Sequence, residues 1–233
     1  LKLMHAWSLD DNEHVRRLAS EGSRPRLPWS FRLEPIQADP KLAARILDNL
    51  KADMSLYVRK SVANHLNDIT KDHPEWVLDL IEGWSQDNKH TAWIAKHALR
   101  SLIKQGNKRA LAIIGAGGKP EVELSDLKVE PAVIRLGEKI TLSFAVKSTV
   151  QDSQRLVIDY AIDYVKANGS TSAKVFKLKT LTLPGKVTET IARSQQIKEL
   201  TTRRHYTGQH AVHILVNGER LASTGFEIIA DAD

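Results

Sequence analysis

There is no cysteine in the 233 residues. That excludes disulfides and thiolate metal sites and fits a reducing compartment, so the expected location is cytoplasmic. No stretch approaches the ~20 consecutive apolar residues that a membrane-spanning helix needs, and no charged-then-apolar signal pattern opens the chain. Nine histidines are present, yet none falls in an HExxH pattern and no acidic ligand cluster accompanies them, so no metal is expected. His210 and His213 are three apart on an expected strand and point to opposite faces. GxSxG and Walker motifs are missing too. Tryptophan is absent from the whole second half: all five (Trp7, Trp29, Trp76, Trp84, Trp93) precede residue 119.

What is present divides the chain at the same place. The break is Gly115-Ala-Gly-Gly-Lys-Pro120. A phosphate-cradling glycine loop follows a strand and opens a helix. Here a helix precedes and a strand follows, so the segment reads as a linker between residues 1–117 and 118–233. Apolar content of 42% supports packed cores, and a net charge of +6 favours a polyanionic partner. The chain begins at Leu1, inside an expected helix, and reads as a fragment lacking its N-terminal part.

Before the linker, apolar residues recur at helical spacing, as in Leu42, Ile46, Leu47 and Leu50. Helices are expected over Asp11–Glu21, Pro40–Met54, Ser55–Thr70, Pro74–Gln86, Lys89–Lys104 and Asn107–Ile114, with Asp10-Asp11-Asn12 capping the first. Three segments align without gaps: VRRLASEG from Val15, VRKSVANHLNDI from Val58 and IAKHALRSLI from Ile94, with starts 43 and 36 residues apart. That is near the ~40–47-residue period of HEAT-type helix pairs, which stack because one unit cannot bury its own apolar face. The expected fold of this part is an α-α superhelix, a HEAT-like solenoid.

The alignment puts Arg17, Lys60 and Lys96 in one column and Glu21, Asn64 and Arg100 in another, four residues on. Positions i and i+4 share a helix face, so stacking joins these polar stripes into one basic lining surface. Asp68 continues the line Lys60–Asn64–Asp68. Glu21 and Asp68 then either converge on a cationic group in the groove, or Asp68 pairs on the helix surface with Lys71 or Lys60. The segment RRLASEGSRPRLPWSFR, with Arg16, Arg17, Arg24, Arg26 and Arg32 around Glu21 and Trp29, suggests a surface for phosphates and bases. The plainer alternative is a solvated helix end with Glu21 neutralising its neighbours.

After the linker, short alternating runs with Asn168-Gly and Asn217-Gly hairpin signals give about seven strands over roughly 110 residues, as in an immunoglobulin-like β-sandwich. His210 stands where such domains carry a corner tyrosine, with Val212 at a cysteine's position. Asp159 and Asp163 share one strand face and read as solvated. The chain as a whole is expected to be multidomain, α then β.

The run EHVRRLASEGSRPRLPW resembles a signature of the AlkC branch of DNA alkylation repair glycosylases. YVRKSVANHLNDITKDHPEWV and KHALRSLIKQGNKRAL are similar to later stretches of that branch, and the resemblance spans residues 5–115. Some members carry a C-terminal immunoglobulin-like domain. The resemblance implies removal of cationic bases alkylated at N3, chiefly 3-methyladenine and 3-methylcytosine, from double-stranded DNA by a monomer, without full base flipping and without a cofactor. It implies Glu21 as a catalytic carboxylate, with Asp68 completing the acidic site, and Trp29 as an aromatic wall at the lesion; Asn64, from the lining column, is a further lesion-contact candidate. It implies DNA contacts from Arg17, Arg24 and Arg26, joined by Lys60, Lys96 and Arg100 from the lining columns. The sandwich resembles a DNA clamp, with Arg203, Arg204 and His205 as candidate contacts. Two rivals from other classes are a non-catalytic nucleic-acid-binding HEAT module and a protein-interaction scaffold.

Overall fold

The computed structural model describes residues 1–199 and 204–230. Two compact units divide it, Leu1–Gly117 and Gly118–Asp233. At the division the backbone of Gly117 passes so close to Ala112 that a Cβ would lie 2.7 Å from its Cα, so only glycine fits the turn that ends the helical unit.

The helical unit holds α1 (Lys2–Trp7), α2 (Glu13–Glu21), α3 (Glu34–Ala38), α4 (Lys41–Leu50), α5 (Leu56–Ile69), α6 (Pro74–Glu82), α7 (Lys89–Ala98), α8 (Arg100–Lys104) and α9 (Lys108–Ile113). Asparagine caps three of them. The side chain of Asn12 accepts from His14 N, that of Asn88 from His90 N and Thr91 N, and that of Asn107 from Ala110 N. Each satisfies donors that a helix start leaves open. The expected single helix Lys89–Lys104 is two helices, broken at Leu99, whose φ of −83° and ψ of 4° leave the helical range. Helices α2, α5 and α7 pack in that order. Ile46, Leu47, Leu50, Val62, Leu66, Ile81 and Ile94 form the buried seam, none more than 1% exposed.

The repeat is visible in a hydrogen-bond device as well as in apolar spacing. Arg16 Nη1 donates to the carbonyls of Asp10 and Asp11 at 2.9 and 2.8 Å. Arg59, in the same alignment column, donates through Nη1 to the carbonyls of Asp53 and Met54, both at 2.8 Å. Each arginine therefore closes the loop five and six residues before it. Arg16 also holds Asp53 of the next repeat, with Nε to Oδ2 at 2.6 Å.

The second unit has eight strands among its described residues, one more than the sequence suggests: β1 (Val122–Glu130), β2 (Val133–Arg135), β3 (Lys139–Ser148), β4 (Gln154–Val165), β5 (Thr171–Leu183), β6 (Thr188–Gln196), β7 (Gly208–Val216) and β8 (Glu219–Ile229). They form a three-stranded sheet in the order β1-β3-β6 and a five-stranded sheet in the order β2-β8-β7-β4-β5. The additional strand is the three-residue β2, which pairs parallel with β8. Phe144 and Ile140 from one sheet and Ile158, Ile162, Ile214 and Phe226 from the other share one apolar core. Val216 opposes Glu219 across a two-residue turn in which Asn217 and Gly218 take φ of 48° and 77°. Both residues have the positive φ that a primed hairpin turn requires.

His210 is 1% exposed, and its Nδ1 lies 2.9 Å from the carbonyl of Gly208, two residues upstream. Its ring stacks on Phe226. Burial lowers its pKa, so Nδ1–H donates and the ring is neutral. The reading of Asp159 as solvated is corrected, while Asp163 is half-buried with 23% of its side chain exposed. Asp159 is 4% exposed, and Asp163 Oδ2 lies 3.0 Å from His213 Nε2, whose Nδ1 meets Ser223 Oγ at 2.7 Å. These groups lie on the face of β4 and β7 turned away from the core, where strand alternation puts them.

Candidate acidic site and nucleic-acid interface

Glu21 ends α2, and Asp68 lies in the last turn of the adjacent α5. The chain turns at Gly22 and brings Arg24 back between them. Arg24 Nη1 donates to Glu21 Oε1 at 2.7 Å, and its Nε donates to Asp68 Oδ2 at 2.9 Å. Nη2 lies 2.9 Å from the same Asp68 oxygen. Ser61, one residue after Lys60 on α5, donates to Glu21 Oε2 at 2.6 Å. The two acids and the arginine form one connected centre.

Several expected placements change. Arg24 was expected to face DNA, but it is 8% exposed and turned onto two carboxylates inside the unit. Asp68 does not share the open lining face with Lys60, because it is 5% exposed under Arg24. Lys71 does approach it, at 3.5 Å from Oδ1. Lys60 and Asp68 are eight residues apart, and α5 rolls between them from an exposed to a buried face. The cation on which Glu21 and Asp68 converge is part of the chain itself.

Arg17 lies with its Cζ 4.4 Å from the Tyr57 ring centroid and its Nη2 3.7 Å from Glu21 Oε2. Arg26 makes a two-pronged pair with Asp72, Nε to Oδ2 at 3.1 Å and Nη2 to Oδ1 at 2.7 Å, which holds the Asp72 carboxyl below its ordinary range. Trp29 is 107% exposed at a φ of 64°. Among the described residues nothing covers its ring, which is open to a stacking partner. Arg204 is exposed, while Arg203 lies outside the described residues.

A depression of about 270 Å³ is lined by Lys60, Ala63, Asn64, Trp93, His97 and Arg100. Arg100 Nη2 donates to Asn64 Oδ1 at 3.1 Å, so the second alignment column is joined across the α5–α8 step. Trp93 stacks on His97 with centroids 3.7 Å apart. Lys96 is half-buried one residue before His97 and does not line the depression. Sequence reasoning did not identify Ser61, Tyr57 or the Trp93–His97 stack. Among the described residues no three His, Asp or Glu side chains gather as a metal site.

The comparisons with known proteins fall on the same two units. Residues 1–102 match the family described as DNA alkylation repair enzyme, and residues 123–230 match the one described as the C-terminal Ig-like domain of the uncharacterised protein YhaZ. The two family models thus divide between the helical unit and the sandwich.

One solved structure, the alkylpurine DNA glycosylase AlkC of Pseudomonas fluorescens bound to DNA containing an abasic site analog, is 68% identical with a TM-score of 0.95. That match covers 98% of this chain and 64% of the glycosylase. The uncharacterized protein YhaZ of Bacillus subtilis strain 168 is 46% identical over 223 residues, 96% of this chain and 62% of that protein. The chain thus spans a little under two thirds of the length of either relative.

Proposed function

We propose that the protein is a DNA glycosylase of base excision repair that hydrolyses the N-glycosidic bond of cationic bases alkylated at N3, such as 3-methyladenine and 3-methylcytosine. The observation that carries this reading is the acidic centre: Glu21 and Asp68 from neighbouring helices, one turn from a depression rimmed by Lys60 and Arg100. The likeness to a protein titled an alkylpurine DNA glycosylase, bound to abasic DNA, supports it.

The chemistry asks little of the enzyme. The base is positively charged before the bond breaks, so when C1′–N cleaves the bonding pair returns to the ring and the base leaves neutral, without an added proton. Positive charge develops on the sugar instead. A fixed carboxylate nearby stabilises it and accepts a proton from the water whose oxygen adds to C1′. Glu21, with 17% of its side chain exposed, is the more accessible acid; the Asp68 side chain shows 8%. In this reading Lys60, Arg17 and Arg100 meet phosphates, which position DNA without reading sequence. The exposed face of Trp29 offers a stacking surface that a cationic ring prefers over a neutral one.

A second reading has an observation of its own. Arg24 occupies both acids, as in a structural ion cluster that serves only to hold a DNA-binding surface. The Glu21→Gln variant separates the two readings. For a glycosylase, release of 3-methyladenine falls on the order of 100- to 1,000-fold while DNA affinity and circular dichroism hold. Release at the parent rate would leave a DNA-binding module.

A further inference from the structure

A phosphate contact needs a guanidinium that reaches into water. Arg24 does the reverse: three residues past the end of α2 it turns inward, and all three of its nitrogens meet carboxylate oxygens within 2.9 Å. Two further cations pair with the acids at longer range, Arg17 at 3.7 Å from Glu21 and Lys71 at 3.5 Å from Asp68. Beside them on α5 is His65, fully buried. Burial and the neighbouring Arg24 push its pKa down to about 3, so it adds no second positive charge.

The clamp also decides which oxygens are left over. Arg24 takes Oε1 of Glu21 and Oδ2 of Asp68. Glu21 Oε2 keeps only Ser61 at 2.6 Å and Arg17 at 3.7 Å. Asp68 Oδ1 keeps Lys71. A guanidinium is planar with donors in a fixed fork, so it sets the angle between its partners as well as their spacing, which an ammonium cannot do. Without a cation between them the two acids repel and move apart.

Resting on the glycosylase reading, we infer that Arg24 is the positioning residue of the acid pair: it fixes Glu21 and Asp68 at the span of one guanidinium and sets which oxygen of each is left to other partners.

The test measures single-turnover excision from duplex DNA containing 3-methyladenine, together with DNA affinity across a salt series. Arg24→Gln is expected to excise on the order of 100-fold more slowly, with the parent's affinity and salt slope. Arg24→Lys is expected to recover part of the rate, since it restores the charge without the fork, and it carries the test should the glutamine variant not fold. A salt slope shallower by ~0.9 with an unchanged saturated rate would make Arg24 a phosphate contact and overturn the proposal. Parent-like excision by Arg24→Gln would overturn it too.

A spectroscopic arm needs no activity. A guanidinium gripped by two carboxylates turns slowly about its Nε–Cζ bond, so separate Nη signals for Arg24 are expected in nitrogen-15 spectra of the parent and are expected to merge in Asp68→Asn. Merged signals in the parent refute the clamp. Failure of the parent to release any base removes the glycosylase reading alone, and these spectra then decide whether Arg24 fixes the pair.

Discussion

In the sandwich, Phe144, Ile158, Ile214 and Phe226 meet between the two sheets, and His210, stacked on Phe226, is neutral and bonded to a backbone carbonyl. In the helical unit, the contact between α2 and α5 contains Glu21, Asp68 and Arg24 in direct contact, with His65 fully buried beside them. Buried charge contributes little net stability, because desolvation offsets attraction, yet removing one partner is costly. The sandwich therefore gains stability from its interior, whereas the helical unit holds a charged geometry in place there. A site that must meet a cation belongs in the second kind of interior.

The contrast yields an ordered set of expected outcomes. The largest is Phe144→Ala, which empties a fully packed position and should cost about 3–5 kcal/mol in the sandwich transition, read by chemical denaturation. The helical transition should stay put, and a common shift of both would break the comparison. Next is Asp68→Asn, which leaves Arg24 enclosed with half of its acid partners and should cost the helical unit about 3 kcal/mol. The matching Asp163→Asn change beside His213 should cost less than about 1 kcal/mol, because that pair is partly solvated.

A pH series sharpens the contrast further. The pKa of His65 lies near 3 in the folded protein and near 6.5 unfolded. Above about 6.5 both states are neutral; below it only the unfolded chain takes the proton. Stability is lost as pH falls from about 6.5 towards 3, at about 1.4 kcal/mol per unit, or about 2 kcal/mol by pH 5. Melting curves of the helical unit should show that slope, and His65→Leu should flatten it. His210 gives the sandwich a slope of the same sign. The smallest effect belongs to Arg26→Ala, whose open pair with Asp72 should cost less than about 1 kcal/mol in denaturant midpoint.

Much of the architecture was legible because it rests on local rules. Asparagine caps announced α2, the Asn217-Gly218 pair announced its hairpin, and the register of Val15, Val58 and Ile94 announced the stacked helices. The acidic pair was legible as a juxtaposition, since Glu21 and Asp68 lie on neighbouring copies of one helix. What lay between them was not. Five arginines in seventeen residues look alike in sequence, and their fates separate only in three dimensions: Arg16 closes a loop, Arg17 covers Tyr57, Arg24 turns inward, Arg26 meets Asp72, and Arg32 is exposed. The direction in which the chain leaves α2 at Gly22 decides that, and no periodicity reports it. The burial of Asp159 was hidden for a similar reason, because strand alternation names a face without naming what covers it.

The loop-closing arginines, Arg16 and Arg59, lend themselves to use as a ruler. Each reaches back five and six residues to two carbonyls, so a Val-Arg pair with an aspartate at that offset marks where a repeat begins, independently of its apolar residues. The third copy has Ala95 in the arginine's column, and there the start of α7 is tied by Asn88 instead. Longer relatives can be phased by the same mark, counting repeats by their joints where hydrophobic spacing has drifted too far to count them by their cores.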